Sequence, residues 1–136
     1  MTEKKQPFFG HTPESQKRAL EGLKKFLPPM DANDMEENVL YLEKLVYLTL
    51  DMKKDIITRV DKKVIAQSFR LSTTALIRSF LAELSTSIKQ DILFALQEQS
   101  PIGEFEYNIK SFVKYIRQQE AKGRIILDKD SCEEYV

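Results

Sequence analysis

The sequence predicts an all-α protein of one domain, a compact stack of short antiparallel helices. Three observations lead there. Apolar residues recur three and four apart along most of the chain, and no segment sustains a period of two. Side chains suited to helix N-caps (Thr12, Thr49, Asp61 and Ser85) stand just ahead of those runs. The breaks between runs are short, which favours antiparallel neighbours over a long coiled coil. At 136 residues and 15.8 kDa the chain suits one domain and can bury a core without disulfides or metal.

Each element has its own signal. Residues 1–11 are polar around Pro7 and Gly10 and are expected to form a flexible tail, with Phe8 and Phe9 as an apolar pair within it. Residues 12–29 read as an N-terminal helix. Thr12 caps it, Pro13 takes the first position, Glu14 faces the positive end of the dipole, Leu20, Leu23, Phe26 and Leu27 form the stripe, and Pro28-Pro29 ends it. Asp34 and Glu37 resemble a capping box ahead of Val39, Leu40, Leu42, Leu45, Val46 and Leu48. Thr49 then restarts the pattern. Met52, Ile56 and Val60 share one face, widened by Ile57, while Lys53, Lys54, Asp55, Thr58 and Arg59 are expected to face away. Asp55 and Arg59 are spaced to pair across one turn.

Asp61 caps a segment carrying Val64, Ile65 and Phe69. Ser72 or Thr73 caps the next, with Leu76, Ile77, Phe80 and Leu81. Ser85 caps a third, with Ile88, Ile92, Leu93 and Leu96. Ser100-Pro101-Ile102-Gly103 is a break. Phe105, Ile109, Phe112, Val113 and Ile116 mark a long helix that stops at Lys122-Gly123, a basic residue followed by one free to turn left-handed. Residues 128–136 form an acidic tail.

Composition excludes several functions. Lys plus Arg and Asp plus Glu are both 21, so the net charge is zero and no general attraction to nucleic acid exists. No apolar run is long enough to span a membrane, and no signal-peptide core follows Met1. The single Cys132 and single His11 supply neither a disulfide framework nor a zinc site. Gly10, Gly22, Gly103 and Gly123 are isolated, so no phosphate loop forms. The paired carboxylates lie at helix starts and in the tail, where solvated charge explains them. Tyr41, Tyr47, Phe80 and Phe94 sit within helical apolar patterns and are expected in the core. The residues alone therefore describe a cytoplasmic helical interaction domain, with no catalytic, cofactor-binding or metal-binding residues and no cofactor.

The second half of the chain is more specific. Phe80-Leu81-Ala82-Glu83-Leu84-Ser85, Ser100-Pro101-Ile102, Gly123-Arg124-Ile125 and Glu134-Tyr135-Val136 follow one another at set distances. In that order and spacing they resemble the C-terminal domain of the flagellar motor switch protein FliG, which runs Phe-Leu-x-x-Met-Ser, Gly-Pro-Val, Gly-Glu-Ile and a Glu-Tyr-Val-like end. Upstream, Val39-Leu40-Tyr41-Leu42-Glu43-Lys44-Leu45 is similar to the family's Met-Phe-Val-Phe-Glu-Asp-Leu, and Val60-Asp61 falls where the family has Val-Asp. The resemblance covers residues 36–136 and implies an armadillo-like FliG C-terminal domain over residues 30–127.

The departures are concentrated in one helix. The family's torque helix begins Asp-Asp-Arg and carries a later basic residue before Glu-Val-Asp. This chain has Thr49-Leu50-Asp51, then Thr58 and Arg59 at those places. Thr49 still caps, so the helix is kept while its stator-facing charges are lost. Leu71 replaces a family glycine, the loop after Pro101 is about two residues shorter, and the first 35 residues resemble neither of the family's other domains.

The resemblance thus implies a non-enzymatic flagellar motor-associated module at or near the switch complex, without the usual torque-generating charges, on the cytoplasmic face of the basal body. Its expected partners are switch or stator-associated proteins (FliG, FliM or a MotA-like protein), with no nucleic acid and no membrane insertion. A homo-oligomer is expected if the N-terminal helix leaves an apolar face uncovered. The candidate partner-binding residues are Asp51, Lys54, Asp55, Thr58 and Arg59. The alternative is a cytoplasmic helical adaptor unrelated to motility, docking through Phe8 and Phe9 together with the helix from Pro13 to Leu27.

Overall fold

Residues 10–98 and 100–127 are described by a computed structural model, and every regular element among them is helical. Phe8, Phe9 and the acidic segment 128–136 with Cys132 lie outside the described residues. The helices are α1 (Pro13–Leu23), α2 (Pro29–Leu42), α3 (Leu50–Arg59), α4 (Lys62–Ser68), α5 (Thr74–Leu81), α6 (Thr86–Gln97) and α7 (Ile102–Ala121), with a 3-10 turn at Glu43–Tyr47.

The caps are local and largely as the sequence specifies. Thr12, Thr49, Asp61, Thr73 and Ser85 each accept a backbone N–H of their own helix through the side chain. Ser15 closes a capping box with Thr12. Gly123 ends α7 at φ 74°, where a side chain would be strained.

Residues 10 and 11 are part of the fold. The His11 N–H donates to the Ser72 carbonyl at 3.0 Å and its carbonyl accepts from Thr74 at 2.9 Å, forming one parallel bridge. Gly10 makes this possible. At φ 99° a Cβ there would stand 2.8 Å from the Thr74 nitrogen, closer than packing permits.

Elsewhere the structure redraws the expected boundaries. Helix α1 ends at Leu23 instead of continuing to residue 29. The Pro-Pro pair opens α2, with Pro28 extended at φ −54°, ψ 148° and Pro29 in the first helical position. A fixed φ near that of a helix makes proline a good first residue. Asp34 and Glu37, read as a capping box, therefore sit exposed within α2. The apolar run after Leu42 tightens into the 3-10 turn, so one expected helix becomes two pieces. Phe26, Leu40 and Phe94 fall on the solvent side of their turns at 82%, 51% and 74% exposure, although their spacing suggested burial.

The short α4 is the centre of the stack, packed against α6 and α7, while α2 lies along α7 and α5 packs on the 3-10 turn. Ile65, Ala66, Gln67 and Ser68 are all buried, so the last turn of α4 is covered on every side. Phe69, just beyond it, meets Phe80 and Phe112 edge-on at centroid separations of 5.1 and 6.1 Å. Gln67 holds the end of α6. Its amide donates to the Ala95 and Glu98 carbonyls at 3.1 and 3.4 Å and accepts from the Ser100 hydroxyl at 2.7 Å. These bonds satisfy groups that would otherwise be orphaned at the helix end.

Candidate functional site: the exposed face of α3

The face is built from one short, tightly held helix. The Thr49 hydroxyl accepts from Met52 N–H at 3.3 Å, and Asp51 stands in the first turn. Ile56 is fully buried, and Met52, Ile57 and Val60 are packed against the core. Asp51, Lys54, Thr58 and Arg59 are exposed, and Asp55 is partly so.

The second anchor is Lys53, which sequence spacing had placed outward. It is 4% exposed and points inward. Its ammonium donates to the Ser79 carbonyl at 2.6 Å and the Ala82 carbonyl at 3.4 Å. Both lie at the C-terminal end of α5, where the helix dipole favours a cation. Burial pushes the Lys53 pKa down, with Glu83 acting against it.

The outer face carries two carboxylates and two cations. Arg59 Nε donates to Asp55 Oδ1 at 3.0 Å, so these two charges neutralise one another. Asp55 accordingly holds the Arg59 pKa up. The Thr58 hydroxyl is turned back onto the Lys54 carbonyl at 2.8 Å. Asp51 and Lys54 have no ion-pair partner among the described residues. Tyr115 of α7 borders the face. Burial chiefly raises its pKa, and it feels the charges of Asp55 and Arg59. The four charged side chains of the ridge thus sum to zero, which weakens any long-range steering by the ridge itself.

Two polar clusters brace the rest of the stack. Glu43 accepts the Thr73 N–H at 3.1 Å, the Thr73 hydroxyl at 2.6 Å and the Gln16 amide at 3.1 Å, tying α1 to the start of α5. The Tyr41 hydroxyl donates to Glu120, and the Arg117 guanidinium lies 4.1 Å from its ring, tying α2 to α7. Burial and then Glu120 raise the Tyr41 pKa.

The His11 ring bonds Ser15 Oγ at 2.9 Å and the Arg70 backbone, and burial lowers its pKa. A lowered pKa means the unfolded chain binds the proton more readily. The neutral ring's contribution is present above about pH 6.5 and is lost as pH falls from there through the folded value. Thermal melts from pH 7.5 to about pH 5.5 should therefore lower Tm more in the native chain than in His11→Gln. Equal slopes would show that His11 is not coupled to folding.

No group of three or more His, Cys, Asp or Glu could hold a metal among the described residues, and none of the described helices is long and apolar enough to cross a membrane. What stands out is an exposed helix face anchored on an all-α stack. A sequence model of the FliG C-terminal domain matches residues 8–127, so the chain belongs to that family, a flagellar motor switch-related module. No curated protein and no solved structure matches the chain. The family match begins at residue 8 and so takes in α1 and the start of α2, which lay outside the resemblance read from motifs. The structure brings Asp51, Lys54, Asp55, Thr58 and Arg59 onto one helix, while Phe8 and Phe9 are outside the described residues.

Sequence reasoning missed two residues of this region. Lys53 had a legible signal. Residues 53, 56, 57 and 60 stand at i, i+3, i+4 and i+7, the spacing of one helix face, so Lys53 falls in line with Ile56, Ile57 and Val60. Tyr115 had none, because only tertiary packing brings α7 beside α3.

Proposed function

We propose that this protein is a non-enzymatic component of the flagellar motor that binds a switch or stator-associated protein through the exposed face of α3. It acts on the cytoplasmic face of the basal body and does not transmit torque by long-range charge matching. The observation that carries this reading is the balanced α3 ridge on a chain of the FliG C-terminal domain family. A ridge whose Asp55 and Arg59 are engaged with one another offers contact specificity in place of electrostatic steering.

The test is the triple variant Lys54→Glu, Asp55→Lys, Arg59→Glu. All three side chains are at least partly exposed, and exposed ion pairs contribute little to stability, so the fold should hold to within about 1 kcal/mol. Co-purification with motor proteins should fall at least about tenfold, the loss expected from a few interfacial charge contacts. A folded triple variant that retains every motor interaction and full motility would show that α3 is not the docking face.

A further inference from the structure

We propose that a groove lined by α1, the residues just after α4, the end of α6 and the start of α7 binds a partner segment presenting an aliphatic side chain beside a carboxylate. The groove has a volume of about 540 Å³, and α3 contributes nothing to it. It is therefore a second site, and its loss would leave the α3 reading standing. Four aliphatic side chains line part of it, Leu23 from α1, Leu71 after α4, Leu96 from α6 and Ile102 at the start of α7, and the rest of the lining is largely polar. Ile102 stays 46% exposed on the rim, so the walls are reachable from solvent.

One arginine lines this groove. Arg70 is half-buried, and only its Nη1 is engaged, with the Ser100 carbonyl at 3.0 Å and hydroxyl at 2.8 Å. No carboxylate lies within ion-pair distance of it among the described residues. The groove's own acid, Glu98, is directed to Lys63 at 3.8 Å. His11 also lines the groove, but its ring is committed to Ser15 and the Arg70 backbone.

The arginine is also held in place. Ser100, which accepts from it, donates to Gln67, and the fully buried Gln67 is pinned in turn by the Ala95 and Glu98 carbonyls. A guanidinium that lines the groove and is fixed at one nitrogen keeps its other donors for a carboxylate. The aliphatic residues supply the rest of the selection, since they take an apolar side chain out of water.

The probes are N-acetyl-leucine and N-acetyl-leucinamide, which share an aliphatic body and differ in the carboxylate. Each is titrated into the full-length, nitrogen-15-labelled protein at pH 7 and followed by amide shifts. The acid should produce saturable shifts at Arg70, Leu71, Leu96 and Ile102, and the amide should bind about tenfold more weakly. Arg70→Gln should abolish the preference for the acid. Ile102→Asp, a substitution on the exposed rim, should weaken acid binding about tenfold while the spectrum remains that of a folded chain. Equal binding of the two probes by the native protein would overturn the proposal. So would unsaturable shifts scattered over the surface. Groove amides that shift with protein concentration alone would mean that a second copy is the occupant, and would also overturn it.

Discussion

Phe69→Ala is expected to cost about 3–5 kcal/mol of stability, the largest single loss among aromatic truncations in this core. The ring is 1% exposed and stands between Phe80 and Phe112, each fully or nearly fully buried. It lies directly after α4, which touches α6 and α7, so the surrounding helices cannot close onto the space without shifting one another. A small domain has only about 5–15 kcal/mol in total, so the variant should lose a large share of its stability. Urea denaturation followed by far-UV circular dichroism measures the effect directly. A loss under about 1 kcal/mol would mean that the core is organised around other residues.

The second large effect belongs to Lys53. Lys53→Ala should destabilise by about 2–3 kcal/mol, since it leaves a cavity and removes charge-assisted donors from the carbonyls closing α5. Lys53→Met keeps most of the stem volume while removing the ammonium, so it separates packing from charge. We expect it to recover about half of the alanine loss, because desolvation of the ammonium offsets part of the gain from its two hydrogen bonds. The functional consequence is orientation. Lys53 bolts the inner side of α3 to α5, and the opposite side carries Lys54, Thr58 and Arg59. Lys53→Met should therefore reduce partner binding even where the chain remains folded. Urea midpoints for the three proteins, beside co-purification of each, test both parts. A methionine variant as unstable as the alanine variant would show that the charge dominates.

The helical plan was legible because its determinants are local. Thr12, Thr49, Asp61, Thr73 and Ser85 cap where their positions suggested, and Lys122-Gly123 ends α7. The misplaced boundaries fall where one residue serves two roles. Pro28-Pro29 both separates α1 from α2 and starts α2, and a stop is the commoner reading of such a pair. Burial was less legible than helicity. Phe94 has the right spacing for its helix, but no neighbouring helix covers that turn, and sequence periodicity carries no information about the neighbour.

The candidate site divides in the same way. The exposed side of α3 and its Asp55–Arg59 pair followed from helical spacing. The inward turn of Lys53 depends on the carbonyls of α5, 26 and 29 residues away in the chain. The Arg70 groove depends on a longer chain of contacts through Ser100 and Gln67, so no motif marks it.

The most direct test of the central claim is isolation of detergent-extracted flagellar basal bodies from cells carrying the tagged protein at native level. The native protein should co-isolate with the switch ring, and the α3 triple variant should not. Its absence from the basal bodies, with the tagged protein held instead in a complex free of motor proteins, would contradict the account and leave a FliG-like fold serving a different partner.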